Sequence, residues 1–91
     1  MNLFLIIIQM SDPERTDTMV RLIKEYGTWA RITDNAWCIK VPDKTAADIR
    51  DGFISKLSIQ STERLLVVNM TAVGWASYYL PKEVTDWLKE K

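Results

Sequence analysis

A run of six consecutive apolar residues near the start of the chain constrains the fold more than any other feature. Residues 3–8 read Leu-Phe-Leu-Ile-Ile-Ile, whereas a strand that is exposed on one face alternates apolar and polar side chains. We therefore predict a strand that is buried on both faces. Helix-start signals follow within five residues, so this strand is expected to lead directly into a helix.

Two capping patterns predict the main helices. Residues 11–14 combine a capping hydroxyl on Ser11 with an early proline and an acidic first turn, which predicts a helix to about Tyr26. Residues 45–48 resemble a second capping box, with Asp in place of the usual Glu. Apolar residues then recur at helical spacing as far as Leu57, so this segment is also predicted to be helical.

Three further segments are typical of strands. Residues 28–32 and 36–41 are β-rich and are separated by Thr-Asp-Asn at residues 33–35, which predicts a hairpin because Asp and Asn tolerate turn conformations. Residues 64–70 contain a second run of consecutive apolar positions and form the predicted fourth strand.

The element order is strand-helix-strand-strand-helix-strand, which predicts one α+β domain over residues 1–91 with a ferredoxin-like βαββαβ sandwich. Both helices would cover one face of a four-stranded sheet, with the first and third strands at its centre. A short aromatic segment at residues 71–79 and a helix that begins at Pro81 would add a C-terminal strand and helix extension.

Two helices cannot cover both faces of such a sheet. Because residues 3–8 and 65–68 are apolar at consecutive positions, one face would remain as a large exposed apolar patch on a monomer. We predict that a second copy covers this face in a homodimer. The expected interface residues are Phe4, Leu66, Val68, Trp75, Tyr78 and Tyr79.

The charge balance and the cysteine and histidine content limit the classes of function that the chain can have. Twelve basic residues balance twelve acidic residues, so the chain lacks the basic excess typical of nucleic-acid-binding proteins. With no His and with Cys38 as its one cysteine, a single copy supplies neither a zinc site nor a Ser-His or Cys-His nucleophile. No cationic segment precedes residues 3–8, which are too few for a signal peptide or a membrane span. We expect a cytoplasmic protein without a membrane partner.

Several segments together resemble the CRISPR-associated adaptation endoribonuclease superfamily, and more closely its short SinR-like relatives. The resemblance is carried by the first strand, the hairpin with Trp29 and residues 36–40, the segments 49–53 and 64–68, and Trp75. It implies a ferredoxin-like homodimer whose sheets face each other. It also implies that residues 71–79 extend the sheet of the partner.

The resemblance raises the question of nuclease activity. In the nucleases an Asp at the end of the first strand is the proposed metal ligand, and the matching residue here is Gln9. An amide is a poor substitute for a carboxylate toward a hard divalent cation. Asp12 is a displaced alternative ligand, but a helix cap explains it better. We therefore predict a non-catalytic binding or assembly protein without a cofactor; the alternative is a metal-dependent endoribonuclease of toxin or defence type that uses Mg²⁺.

A second alternative is a regulatory module that binds a nucleotide or another small molecule. Trp29 and Arg31 lie two residues apart on one face of a predicted edge strand, so they could offer a stacking ring and a cation to a ligand. The same pair could contact a weakly bound nucleic-acid or protein partner.

Overall fold

The computed structural model describes residues 1–90, which form four strands and three helices. In chain order these elements are β1 (Asn2–Gln9), α1 (Pro13–Lys24), β2 (Trp29–Thr33), β3 (Ala36–Val41), α2 (Ala46–Lys56), β4 (Arg64–Asn69) and α3 (Lys82–Lys89). No helix in this part of the chain has the length and apolar character needed to cross a membrane.

The four strands form one antiparallel sheet in the order β2-β3-β1-β4. The sheet confirms the predicted α+β class and the central position of the first and third strands. β1 pairs with β3 on one side, where Phe4 lies opposite Ile39, and with β4 on the other, where Ile7 lies opposite Leu66. This order is compatible with a ferredoxin-like fold.

The starts of α1 and α2 differ in how closely they follow the predicted caps. The Thr45 hydroxyl accepts from the backbone N–H of Asp48, and the Asp48 carboxylate accepts from the N–H of Thr45, so the predicted capping box is present. The first helix is capped by Asp12 and not by Ser11, because the Asp12 carboxylate accepts from the N–H of Arg15 at 2.8 Å. The Ser11 hydroxyl is bonded to Glu63 instead.

The main core lies between the sheet and the first two helices. Alternate residues of β1 point into it, and Phe4 and Ile6 are fully buried there. The remaining large members of this core include Ile8, Met19, Ile23, Trp37, Ile39, Ile49 and Phe53. The assignment of Phe4 to a dimer interface is therefore wrong, because the helices of its own chain already cover this side chain.

The opposite face of the sheet, called here the second face, is partly covered by the C-terminal segment. Lys40 lies on this face and its Nζ donates to the carbonyl oxygens of Trp87 and Glu90, which holds the end of α3 against the sheet. The same ammonium group lies 4.3 Å from the centre of the Trp87 ring. Residues 71–79 form turns and irregular backbone, so the predicted C-terminal strand is absent while the predicted C-terminal helix is present.

The core assignment of Phe4 leads to a stability prediction. Phe4→Ala is expected to lower the free energy of unfolding by about 3–5 kcal/mol, because it leaves a cavity that the two helices cannot refill. Urea denaturation monitored by tryptophan fluorescence measures the change. Val73→Ala is the control at an exposed apolar side chain, and equal losses in the two variants would contradict the core position of Phe4.

Candidate functional site

The half of the second face formed by β1 and β4 is apolar and open to solvent. Ile7 is 38% exposed, Leu66 55% and Val68 37%. The sheet register places Ile7 opposite Leu66 and Leu5 opposite Val68, so these side chains form one continuous patch. We refer to Ile7, Leu66 and Val68 as the open face, which is bordered by the partly buried Leu5. Contiguous apolar surface of this kind is uncommon on monomers and marks interaction sites.

The three aromatic residues between β4 and α3, Trp75, Tyr78 and Tyr79, lie in different environments. Trp75 is partly buried and lines a small cavity of about 130 Å³ together with Leu5 and Cys38, so it packs on the sheet of its own chain. Tyr78 and Tyr79 are 77% and 91% exposed, and their rings stack on each other at 4.3 Å. The tyrosines are therefore accessible to a partner, whereas Trp75 mainly covers the second face.

The end of β1 holds the two residues considered for catalysis. Gln9 is exposed and lies opposite Arg64 in the sheet. Asp12 is exposed too, but its carboxylate is engaged as the cap of α1. Within residues 1–90, no group of three or more His, Cys, Asp or Glu side chains is arranged to hold a metal ion.

A buried ion pair close to this position was not apparent from the sequence. Glu63 lies just before β4 and its side chain is inaccessible to solvent. Arg15 binds it with two hydrogen bonds, from Nε to Oε2 at 2.7 Å and from Nη2 to Oε1 at 2.8 Å. Such paired, charge-assisted bonds fix both side chains in one geometry.

Additional donors complete the surroundings of the Glu63 carboxylate. The backbone N–H and the hydroxyl of Ser11 donate to Oε2, and the backbone N–H of Gln60 donates to Oε1. Arg15 also donates to the carbonyl oxygen of Ser58. The hydrogen bonds from Arg15, Gln60 and Ser11 hold the pKa of the Glu63 carboxyl well below its usual value of 4.5. The network joins the loop before β4 to the start of α1, so its role is to stabilise the fold.

Trp29 and Arg31 lie on β2, which is an edge strand of the sheet. The Trp29 ring packs against Trp37 with 5.6 Å between ring centres, and the Lys24 ammonium lies 4.8 Å from the centre of the Trp29 ring. Arg31 forms an ion pair with Asp34. Both residues line an open cleft of about 560 Å³ between β2 and α3, so the structure brings together the two predicted ligand-binding residues.

Comparison with models of known protein families finds no match to this chain, and comparison with curated proteins finds none either.

The Glu63 network predicts a specific dependence of stability on pH. Because folding lowers the pKa of Glu63, its contribution to stability is fully present above about pH 4.5, the value of an unperturbed Glu, and is lost as the pH falls below that value. Urea denaturation at pH 7 and pH 3 should show a smaller loss of stability on acidification for Glu63→Gln than for the native protein.

Glu63→Gln is also expected to be less stable than the native protein at pH 7, because Arg15 would be left without its carboxylate partner. Glu14→Gln, at an exposed position on α1, is the matched control and should keep the native pH profile. A Glu63→Gln protein with the native pH profile would show that this carboxylate does not contribute.

Proposed function

We propose that this protein is a non-catalytic homodimer that acts as a binding or assembly protein in the cytoplasm. We further propose a ferredoxin-like fold related to that of the CRISPR adaptation endoribonucleases. The observation that carries the proposal is the open face, which presents apolar side chains of two paired strands to solvent. Burial of such a surface is the main driving force of protein association.

A second copy of the chain is the simplest cover for the open face. Two copies related by a two-fold axis would bring Leu66 and Val68 of each chain against the same surface of the other. Ile7 takes the interface position first assigned to Phe4, because it lies next to Leu66 on the same face. The exposed Tyr78 and Tyr79 could add aromatic contact area at the rim of this interface.

The chemistry at the end of β1 supports a non-catalytic role. The Gln9 amide cannot neutralise the charge of a divalent cation, and the Asp12 carboxylate already serves the first turn of α1. Under the alternative of a metal-dependent endoribonuclease, these two side chains would have to bind Mg²⁺ at the cost of the helix cap.

The dimer is tested by sedimentation velocity at micromolar concentration. The native protein is expected to sediment as a dimer, and Leu66→Asp should weaken the dimer at least tenfold, because an unpaired carboxylate in a desolvated interface is strongly unfavourable. The control is Ile54→Asp, which changes an equally apolar, exposed side chain on α2, in the helical layer. It should leave the dimer unchanged. A monomeric native protein, or equal weakening by the two variants, would contradict the proposed interface.

The absence of nuclease activity is tested with labelled RNA and DNA in the presence of magnesium or manganese. We expect no cleavage by the native protein, because no carboxylate stands at the end of β1. Gln9→Asp restores that carboxylate and is the variant in which metal-dependent cleavage could appear.

Asp12→Asn is the informative companion, since an amide oxygen can still cap a helix while its negative charge is lost. Cleavage by the native protein that disappears in Asp12→Asn, without a change in thermal stability, would show that Asp12 binds a metal. That result would favour the endoribonuclease alternative.

A further inference from the structure

The cleft between β2 and α3 is a groove that runs along the edge of the sheet. One wall consists of six consecutive residues, 29–34, which include the whole of β2 and the turn residue Asp34. The other wall is formed by Pro81 and three residues of α3: Glu83, Val84 and Trp87. At about 3.3 Å per residue, the five residues of β2 extend over roughly 16 Å. This length matches an extended peptide better than a compact small molecule.

The backbone of β2 offers hydrogen-bonding groups to this cleft. The backbone N–H of Lys40 donates to the carbonyl oxygen of Thr28 at 3.1 Å, so the backbone groups of Thr28 point toward β3. In an antiparallel ladder the direction alternates along the strand. The N–H and C=O groups of Trp29 and Arg31 therefore point away from β3, toward the free edge. Unpaired groups on a sheet edge are a template for an added strand.

The side chains of the cleft indicate which peptide would fit. Val84, Trp87 and Ile32 are partly buried apolar side chains and could receive alternate apolar side chains of an extended segment. Among the lining residues, Arg31 is the only positive charge and it is paired with Asp34, while Glu83 adds a second negative charge. Within residues 1–90 the Glu83 carboxylate has no ion-pair partner, so it favours a ligand that places a Lys or Arg beside it.

We propose that the cleft between β2 and α3 binds an extended peptide segment of another protein, which adds a strand to the free edge of β2. The segment would place apolar side chains against α3 and a Lys or Arg side chain near Glu83. Main-chain hydrogen bonds to Trp29 and Arg31 would supply affinity, and the apolar and acidic contacts would supply specificity. This site is separate from the open face and does not depend on dimer formation.

The proposal is tested with a phage-displayed library of random nine-residue peptides, selected on the native protein and counter-selected on Arg31→Pro. Proline removes the outward N–H of residue 31 but no bond to β3, so the sheet should be retained. We expect enriched sequences with apolar residues at alternate positions and at least one Lys or Arg. No enrichment over the Arg31→Pro protein would overturn the proposal.

A synthetic peptide of the enriched sequence then separates the contribution of backbone hydrogen bonds from that of side-chain contacts. Affinity measured by fluorescence polarisation should fall at least tenfold for Arg31→Pro and for a peptide whose alternate amides are N-methylated, because each change blocks strand addition without removing apolar side chains. Arg31→Ala keeps the N–H and should bind within threefold of the native protein. Equal binding of the methylated and unmethylated peptides would overturn the proposal.

Charge reversal tests the acidic wall and provides a matched control. Glu83→Lys should weaken binding of the cationic peptide about tenfold, whereas Asp17→Lys, on the exposed surface of α1, should not change it. Leu66→Asp should bind the peptide with native affinity, so a failure of the proposed dimer and a failure of this site give different results. Self-association that Arg31→Pro abolishes would assign the edge to a second copy and would overturn the peptide proposal.

Discussion

The structure depends on the burial of β1 from both sides of the sheet. Its alternate side chains Phe4, Ile6 and Ile8 lie in the core beneath α1 and α2, and its other side chains lie on the second face. Two helices cover the centre of the first face, whereas the segment after β4 and α3 cover β2, β3 and Leu5 of β1 on the second face but leave Ile7 and β4 exposed. The exposure of Leu66 follows directly, because no remaining element of the described chain reaches β4 on that side.

The Arg15–Glu63 pair has a different role from the apolar core, because it fixes the junction between β1 and α1. The carboxylate joins a loop that lies 48 residues further along the chain to the first turn of the helix. Burial of a carboxylate is unfavourable unless its oxygen atoms are satisfied, and here Arg15, Ser11 and Gln60 all donate to it. The end of β1, where Gln9 lies opposite Arg64, is thus next to a neutralised ion pair that holds the fold together.

The two proposed binding surfaces lie in different parts of the sheet and differ in chemistry. The open face on β1 and β4 is apolar, so it suits a symmetric partner that buries the same side chains. The cleft at β2 combines outward backbone groups with apolar and acidic side chains, so it suits an extended segment of opposite charge. A small protein with these two surfaces could dimerise and still hold another protein, which is consistent with an assembly role.

The sequence by itself determined the four strands of the sheet and the three helices, because their signals are local: an unbroken apolar run for β1, a capping box at Thr45, and turn residues between β2 and β3. The strand expected within residues 71–79 did not form. The sequence also indicated Trp29 and Arg31 as neighbours on one edge strand, since alternation along a strand is a property of the backbone. It could not determine which side chains of residues 3–8 face the helices, because an all-apolar run has no alternation to reveal its register. Only the tertiary structure placed Phe4 in the core, Trp75 on its own sheet and Glu63 beside Arg15, since each of these contacts joins residues that are distant in the chain.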